Sequence, residues 1–313
     1  MTLSTRHSAP SPEELSRLAE LIRIYAPYDG DFPLRLPGVA VARSAHVNQH
    51  LQHSVQQPAL CLVAQGNKSV QIGPDKYEYD PQRLMVYSVQ LPVAFQVTQA
   101  SVAEPFLTFK LDLDPQRIAS LSLKLFPDGV QRVQENRGVH QTPSNAAIVN
   151  AASRLLEVMG SDREAALIGP LVVDELLIRL LMSPVGAQVA QLGQAESRVG
   201  RIARAIDWIQ AHYDEPLEVE ALADLVHMGV STFHAHFKAV TSMSPLQFQK
   251  HVRLQEARRL LMSSPVDATT ASRQVGYQSA SQFSREYSRL FGNTPSQDLA
   301  RLREPGGQPL ATL

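Results

Sequence analysis

The C-terminal third of the chain repeats itself at a spacing of 50 residues, and this repeat constrains the fold more than any other feature. The residues that correspond, first copy before second, are Phe233 and Phe283, Phe237 and Tyr287, Val240 and Leu290, Ser244-Pro245 and Thr294-Pro295, Ala221 and Ala271, and Leu225 and Val275. Two copies are too few for a stacked solenoid. The repeat therefore predicts one helical unit that is used twice.

The second copy shows what the unit is. A short helix, ATTASRQV, is followed by the turn GYQS and a second helix. Ser279 is a favourable N-cap for that second helix, and Gln282 three residues later predicts a capping box. The first copy has Gly229 at the place of Ser279, which is a weaker cap. Phe283 and Tyr287 fall on one stripe, which predicts the buried side of the second helix.

The outer side of each second helix carries small, hydrogen-bonding and cationic side chains, with Glu286 as the exception. Such a helix after a tight turn suits entry into a DNA major groove, about 12 Å wide. Each copy therefore predicts a helix-turn-helix unit. The segment PLQFQKHVRLQEARRLLM between them predicts one connecting helix that would hold the two recognition helices about 34 Å apart. The alternative is a plain helical bundle that uses the repeat for packing alone.

The first half of the chain has a different pattern. Between about Gly38 and Leu113, short runs rich in Val, Leu, Tyr and Phe alternate with turn residues, as in ALCLVAQ, RLMVYSV and FLTFKLDL. This spacing predicts an antiparallel sandwich or small barrel. From about Ser144 the period becomes helical and predicts two amphipathic helices, with Pro170 at the start or at a kink of the second. Residues 183–197 are small and polar, which is typical of a linker.

Composition narrows the class of protein. Net charge is −1, but residues 198–303 hold 13 Lys/Arg against 10 Asp/Glu, a mild excess that permits nucleic-acid binding. A single cysteine, Cys61, allows no intrachain disulfide and fits a reducing compartment. No apolar run reads as a signal peptide or membrane span. We therefore expect a soluble cytoplasmic protein that contacts no membrane.

The repeat resembles the DNA-binding domain of AraC/XylS-type bacterial transcription regulators. The likeness lies in LADLVHMGVSTFHAHFKAVTSMSPLQFQKHVRLQEARRLL and ASRQVGYQSASQFSREYSRLFGNTPSQ. PALCLVAQGNKSVQIG and YEYDPQRLMVYSVQLPV resemble, less specifically, the N-terminal effector domain of some members. Three positions depart from the family pattern: Gly229, where Ser is usual, Ala235, where Arg is frequent, and Ser242, where Gly is usual.

The resemblance implies an α+β chain. Residues 1–183 would form a cupin-like β-barrel with a helical dimerisation segment at about 144–183. Residues 184–197 would be the linker, 198–303 an all-α domain with two helix-turn-helix units joined by a linker helix, and 304–313 a flexible tail.

The resemblance also implies which residues contact DNA. Base contacts are expected from the outward faces of the two recognition helices: Ser231, His234, Ala235, Ala280, Ser281, Gln282, Ser284 and Arg285. Arg285 is the best candidate for bidentate recognition of guanine, and a phosphate contact is its alternative. Phosphate contacts are expected from Arg201, Arg204, Lys238, Lys250, Arg253 and Arg289.

The expected function is a sequence-specific transcription regulator, not an enzyme, and we expect an activator. It would need no cofactor or metal and would act as a homodimer on double-stranded promoter DNA, with RNA polymerase as a partner. A small-molecule effector would bind in the barrel, with Tyr77, Tyr87, Phe95 and Phe109 as pocket-lining candidates, although core packing explains these aromatic residues equally well. Cys61 is interpreted as a buried thiol, and an oxidant-sensing thiol is the alternative.

Two other functions stay open at this stage. His46, His50 and His53 are the only visible cluster of metal-ligand type, so a metal-dependent cupin-type enzyme with a DNA-binding tail is one alternative. Surface or loop histidines explain the cluster more simply, because the cupin ligand pattern is missing. An architectural DNA-binding protein without an effector is the other.

Overall fold

We describe a computed structural model that covers residues 8–130, 137–264 and 266–303, with side chains described as far as residue 300. The expected flexible tail at 304–313 lies outside the described residues. The chain begins with helix α1 (Pro12–Tyr25), in which Ser11 and Glu14 form a reciprocal capping box.

Ten strands then form the N-terminal domain. They are β1 (Gly30–Pro33), β2 (Val39–Ser44), β3 (Gln52–Gln56), β4 (Ala59–Gln65), β5 (Asn67–Ile72), β6 (Asp75–Tyr79), β7 (Arg83–Tyr87), β8 (Leu91–Gln99), β9 (Phe106–Asp112) and β10 (Val139–Pro143). They pair as a six-stranded sheet, β1-β2-β9-β4-β7-β10, and a four-stranded sheet, β3-β8-β5-β6, and every pairing is antiparallel.

The expected barrel is therefore corrected to a sandwich, because no ladder joins the two sheets in the described part of the chain. Alternation along the central strands explains its layers. Leu60 and Leu62 of β4 face a helical layer, whereas Cys61 and Val63 face the small sheet. Both faces of β4 are thus buried, which accounts for the uninterrupted apolar run ALCLV.

The helical layer is made of α1 and the helices that flank and follow β10: α2 (Pro115–Leu125), α3 (Ala146–Val158), α4 (Asp162–Leu167), α5 (Gly169–Leu181) and α6 (Gly186–Ala190). The second of the two amphipathic helices expected after Ser144 consists of two helices, α4 and α5, and Pro170 lies in the first turn of α5. The missing N–H of proline is tolerated there.

The predicted linker is more ordered than its small, polar composition indicated. Residues 186–190 form α6, and Gln191–Gly193 form a short 3-10 helix. Val189 and Ala190 are fully buried against the helical layer. The segment therefore packs as part of the first domain, and only residues 194–197 lead across to the second.

The C-terminal domain is helical, as expected. Its elements are α7 (Arg198–Ala211), α8 (Val219–Leu225), α9 (Val230–Thr241), α10 (Pro245–Ser263), α11 (Ala268–Gln274), α12 (Ala280–Phe291) and α13 (Pro295–Arg303). The predicted connecting helix is the continuous 19-residue α10. The first unit shares one apolar cluster with the interior of the sandwich, and the second has a cluster of its own. No helix of the described residues is long and apolar enough to cross a membrane.

Candidate nucleic-acid interface and the surfaces around it

The two helix-turn-helix units are α8–α9 and α11–α12, and each buries the predicted aromatic stripe. Phe233 and Phe237 are fully buried in the first unit. In the second unit Phe283 is fully buried and Tyr287 is 1 % exposed. The two Ser/Thr-Pro steps also have the same function. Ser244 begins α10 through a capping box with Gln247, and Thr294 and Gln297 form the corresponding bonds before α13.

The turns of the two units differ by one residue, which corrects the alignment made from the sequence. The first turn runs from Val226 to Gly229, and the second from Val275 to Ser279. The spacing of the repeat is thus 49 before the turn and 50 after it. The burial of the side chains supports the corrected spacing, because Leu225 is exposed whereas Val275 is fully buried. The insertion could not be located by matching Leu225 with Val275, since both are apolar.

The cap of the second recognition helix is only half of the expected capping box. The Ser279 hydroxyl accepts a hydrogen bond from the Gln282 backbone N–H at 3.2 Å. The Gln282 side chain does not return to Ser279. It donates instead to Glu286 Oε1 at 3.1 Å. In the first unit, Gly229 gives no side-chain cap.

The residues expected to contact bases lie on the outer faces of α9 and α12. Seven of the eight are exposed, and Ser284 is half-buried. Arg285 and Arg289 have no ion pair or hydrogen bond with another described residue. Both guanidinium groups can therefore reach a nucleic acid, and their positions on α12 decide which part of it they meet.

Glu286 organises the second recognition helix. Lys250 Nζ lies 2.9 Å from Glu286 Oε1, and the Tyr277 hydroxyl donates to Glu286 Oε2 at 2.7 Å. Burial raises the pKa of Glu286, but the bonds from Lys250, Tyr277 and Gln282 together outweigh burial and hold the pKa below its usual range. The negative charge of Glu286, the one acid on α12, is thus balanced by Lys250. Its bonds connect α10, the second turn and α12.

The residues expected to contact phosphates divide into three groups. Lys238 and Arg289 are exposed. Three have a carboxylate partner: Arg201 and Arg204 lie beside Glu196, at 2.9 and 3.6 Å, and Lys250 is paired with Glu286. Arg253 is different, because its guanidinium donates to the carbonyls of Tyr213, Gly276 and Glu215 at 2.5, 3.0 and 2.7 Å. We therefore interpret Arg253 as a structural residue that joins the α7–α8 connection to the second turn, and not as a phosphate contact.

A buried polar cluster in the second unit was not found from the sequence. The Arg258 guanidinium binds both oxygens of Asp298, at 2.7 and 3.2 Å, and Tyr287 donates to Asp298 Oδ2 at 2.9 Å. Arg258 is 4 % exposed and Asp298 is 0 %. The cluster joins α10, α12 and α13. Its members are 40 and 11 residues apart in sequence, so no local pattern links them.

The aromatic residues expected to line an effector pocket are not gathered in one place. Tyr87 and Phe95 lie in the apolar layer between the two sheets, and Tyr77 packs against it half-buried. Phe109 lies on the opposite face of the large sheet, against the helical layer. Between the sheets, Lys68 Nζ lies 3.9 Å from the Phe95 ring centroid, and burial lowers the pKa of Lys68 to about 8.

Cys61 and the three histidines are also located. Cys61 is buried, and burial raises the pKa of its thiol to about 11, which disfavours the thiolate that an oxidant sensor needs. His46 Nδ1 lies 3.2 Å from Asp29 Oδ2, and His50 is exposed. His53 packs edge-on against Phe291, at 5.2 Å between ring centroids. Over the described residues, no group of three or more His, Cys, Asp or Glu side chains could hold a metal ion.

A cavity of about 480 Å³ lies between the outer face of the small sheet and helices α7 and α10. The sandwich contributes His53, Ser54, Val55 and Gln90. The C-terminal domain contributes Gln210, Tyr213, Val252, Gln255, Glu256, Arg258, Arg259, Met262 and Ser263. The Gln255 amide donates to the Ser54 carbonyl at 3.0 Å across the boundary of the two domains. The volume of this cavity is within the range of small-molecule sites, which form preferentially between domains.

A β-sandwich joined to a pair of helix-turn-helix units defines a two-domain protein of the DNA-binding class. Comparison with known proteins shows its family. Residues 35–188 match the family model of the AraC-type transcriptional regulator N-terminus, and residues 222–301 match that of a helix-turn-helix domain. The chain therefore belongs to the AraC-type transcriptional regulators.

Individual relatives agree with this assignment. The chain is 27 % identical to the HTH-type transcriptional activator RhaS of Pectobacterium carotovorum over 141 residues, 45 % of this chain and 49 % of RhaS. It is 31 % identical to the MmsAB operon regulatory protein of Pseudomonas aeruginosa over 100 residues, 32 % of this chain and 33 % of that protein. The matches thus span half or less of these relatives.

The fold also has a solved counterpart. ToxT from Vibrio cholerae superposes with a TM-score of 0.56 and 12 % identity, over 84 % of this chain and 97 % of that one. This likeness concerns the fold alone.

Proposed function

We propose that the chain binds promoter DNA in a sequence-specific manner and regulates transcription. The observation that carries the proposal is the pair of recognition helices α9 and α12, both with exposed polar outer faces and both attached to the single helix α10. A rigid connection of this kind sets the distance between the helices. Two such helices can occupy successive major grooves on one face of a duplex, about 34 Å apart.

Base recognition is proposed for the eight outward residues, with Arg285 as the main determinant. It is exposed and has no partner in the described structure, whereas the neighbouring Gln282 is already held by Glu286. An arginine in the major groove can make two bonds to one guanine, which is worth roughly 1–3 kcal/mol of discrimination. The first recognition helix has fewer side chains that can bind a base edge, because Ala235 has no hydrogen-bond donor in its side chain.

Phosphate contacts are proposed for Lys238 and Arg289, with weaker contributions from Arg201, Arg204 and Lys250, which already have carboxylate partners. Such contacts provide affinity without sequence information, and they make binding dependent on salt.

Effector control is proposed through the boundary between the two domains. The 480 Å³ cavity has walls from both domains, so a ligand there would bind better to one arrangement of the domains than to another. Three residues of its wall each have a buried polar atom without a hydrogen-bond partner in the described structure: Gln210 Nε2, Gln255 Oε1 and Arg258 Nη1. These supply the polar character that the apolar side chains Val55, Val252 and Met262 lack. We propose this cavity as the effector site, in place of an aromatic pocket within the sandwich.

A homodimer is proposed through α4 and α5. Leu167, Ile168 and Leu171 are 65, 42 and 66 % exposed, and they follow one another across the junction of these helices. An exposed apolar group of this kind is typical of an association surface. We also propose that the chain acts as an activator and so contacts RNA polymerase, because RhaS carries that description.

The test is retention of genomic DNA fragments by the purified full chain, at near-physiological salt and with competitor DNA. Arg285→Ala is compared with Arg289→Ala, a matched control on the same helix. We expect Arg285→Ala to weaken binding to selected promoter fragments about 10- to 100-fold and to relax their selection. Arg289→Ala should weaken all fragments alike and reduce the salt dependence by about one phosphate contact.

Uniform retention of all fragments, unchanged by Arg285→Ala, would contradict the proposal and favour an architectural DNA-binding protein. A stoichiometric transition metal that is lost on mutation of His46, His50 and His53 would favour the metal-dependent enzyme instead. The separation of His46 and His53 onto different partners argues against that second outcome.

A further inference from the structure

The C-terminal end of the first recognition helix is attached to the sandwich. The Ser242 hydroxyl donates to Asp75 Oδ2 at 2.9 Å, and Asp75 is the first residue of β6. The Gly138 N–H, next to β10, donates to the Val240 carbonyl at 2.8 Å. We call these two hydrogen bonds the latch. Gly73 packs so closely that a Cβ on it would lie 2.9 Å from the Ser242 carbonyl oxygen.

Ser242 is an unusual residue for its backbone position. It closes α9 in the left-handed region, with φ 60°, and its N–H donates to the Lys238 carbonyl at 2.8 Å. The second copy closes α12 in the same way, with φ 76° and an N–H to Ser288 O at 2.9 Å, but there the residue is Gly292. Glycine adopts this conformation without strain, whereas serine does not.

The comparison within the chain isolates what serine adds. Both positions form the same helix end, and glycine is sufficient for it in the second unit. The feature that Ser242 has and Gly292 lacks is a hydroxyl, and that hydroxyl binds the carboxylate of Asp75. A strained residue that is held by a specific contact indicates that the contact, not the helix end, accounts for its identity.

The latch also lies next to the DNA-reading face of α9. A shallow cleft of about 580 Å³ is bounded by Pro74, Asp75 and Arg137 from the sandwich and by Ala235, Lys238, Ala239 and Ser242 from the helix. Ala235 and Lys238 are among the proposed DNA contacts. A recognition helix in a major groove has phosphates on both sides, so the Asp75 carboxylate would meet like charge if the sandwich stayed in place.

We propose that the latch is an autoinhibitory contact, which holds the first recognition helix against the sandwich in an arrangement that competes with DNA. Release of the Asp75–Ser242 bond shifts the population toward the arrangement that binds DNA. This proposal rests on the proposed DNA-binding function. It assigns Asp75 and Ser242 to regulation, and neither is a DNA contact.

The test measures the affinity of the full chain for a selected promoter fragment by fluorescence anisotropy. Asp75→Ala removes the acceptor from the sandwich, and Ser242→Gly removes the donor while providing the residue of the second unit. We expect each variant to bind roughly 3- to 10-fold more tightly than the parent chain, which corresponds to the typical net contribution of one hydrogen bond. Because both break the same bond, the double variant should bind no more tightly than either single variant.

Glu78→Gln is the matched control. It removes one acidic charge from the same strand, and its exposed partner is Lys76, within the sandwich. It should leave the affinity within about twofold of the parent chain. A gain equal to that of Asp75→Ala would mean that general repulsion by the sandwich, not the latch, sets the affinity, and so would overturn the proposal.

A second readout follows the latch directly. The Gly138 N–H should exchange with solvent faster in Asp75→Ala and in Ser242→Gly, because its acceptor is on the released helix. Unchanged affinity, additive gains in the double variant, or unchanged exchange at Gly138 would each overturn the proposal. If the parent chain selects no fragment, the proposed function fails. If it selects fragments through Arg285 but the latch variants match it, only the latch fails.

Discussion

The two helix-turn-helix units have nearly the same backbone, but the side-chain contacts that hold the end of the recognition helix differ in chemistry. In the first unit, Phe237 packs edge-on against Phe248, at 5.6 Å between ring centroids. Fifty residues later the corresponding pair is Tyr287 and Asp298, which are joined by a hydrogen bond of 2.9 Å, and Arg258 neutralises the acid. One helix end therefore docks through aromatic contact and the other through a buried ion pair.

The difference follows from what each unit packs against. The first unit continues the apolar cluster of the sandwich, so dispersion and burial are sufficient to hold it. The second has only a small cluster of its own. The hydrogen bonds within a buried polar cluster fix direction as well as contact. We infer that this directional restraint orients α12, the helix with Arg285.

The largest expected effect comes from disrupting the buried Arg258–Asp298 ion pair of the second unit. Asp298→Asn leaves the buried Arg258 guanidinium without its counter-charge, so we expect a loss of about 3–5 kcal/mol in the free energy of unfolding. Denaturation by urea, followed by circular dichroism, measures it. Arg258→Met combined with Asp298→Leu and Tyr287→Phe should recover most of the loss, because a buried ion pair can be replaced by apolar residues of similar volume and the third change leaves no tyrosine hydroxyl unpaired. A loss below about 1 kcal/mol for Asp298→Asn would contradict the account.

The next effect concerns the turns. Gly276 has φ 84°, and a Cβ on it would lie 2.1 Å from the Asp214 carbonyl oxygen. Gly276→Ala should therefore cost about 2–4 kcal/mol, from backbone strain and from the clash. The first turn already has a side chain in the left-handed region, His227, with φ 54°. His227→Gly should stabilise the chain by about 1 kcal/mol in the same urea experiment. Loss of stability in His227→Gly would show that the histidine side chain has a role in this turn.

A third effect tests how the second unit is joined to the sandwich. His53 packs on Phe291, and burial followed by the charge of Arg258 lowers the pKa of His53 to about 4, with a further lowering from His251 and a smaller opposing effect of Asp298. The folded pKa is below the unfolded value near 6.5, so the folded state favours neutral His53. Its contribution is complete above pH 6.5 and is lost as the pH falls toward 4. We expect a loss of about 2 kcal/mol by pH 5.

The measurement compares urea unfolding at pH 7.5 and pH 5 for the parent chain and for His53→Gln. The variant should lose about 2 kcal/mol less over this interval. His50→Gln, at an exposed histidine, is the control and should keep the pH dependence of the parent chain. Equal pH dependence in all three proteins would show that His53 stays accessible to protons in the folded state.

The smallest effect concerns the caps. Ser279→Ala removes the side-chain acceptor of α12 and should cost about 1 kcal/mol. Gly229→Ser supplies such an acceptor to α9 and should gain a few tenths of a kcal/mol. Thermal unfolding of both variants checks the pair. A gain from Ser at 229 as large as the loss at 279 would mean that the two helix starts are equivalent, against the difference in their caps.

Much of the fold could be predicted from local pattern. Strand β4 coincides with the run ALCLVAQ, and α10 is the connecting helix that the repeat predicted. The aromatic stripes are buried and the expected base-reading faces are outward. These features are set by periods of two and 3.6 residues, which are visible in any short window. The one-residue insertion in the second turn was missed because Leu225 and Val275 are both apolar.

The residues 184–197 illustrate the opposite case. Their small, polar composition was typical of a linker, yet Val189 and Ala190 are fully buried. Burial there depends on a helical layer built from segments that are distant in sequence. Arg253 was likewise expected on the DNA because it is a cation. Only the tertiary structure shows that its guanidinium binds three carbonyl groups and so joins the α7–α8 connection to the second turn.

By itself, the sequence determined the two classes of domain, the doubled unit and the outward positions of Arg285 and its neighbours, because caps and hydrophobic periods act within a few residues. The tertiary structure decided the rest: the sandwich in place of a barrel, the Arg258–Asp298 pair, the cavity between the domains and the contact of Ser242 with Asp75. The physical reason is range. Each of these features joins groups that are tens to more than a hundred residues apart, and such pairings are set by the packing of whole elements, which no local pattern records.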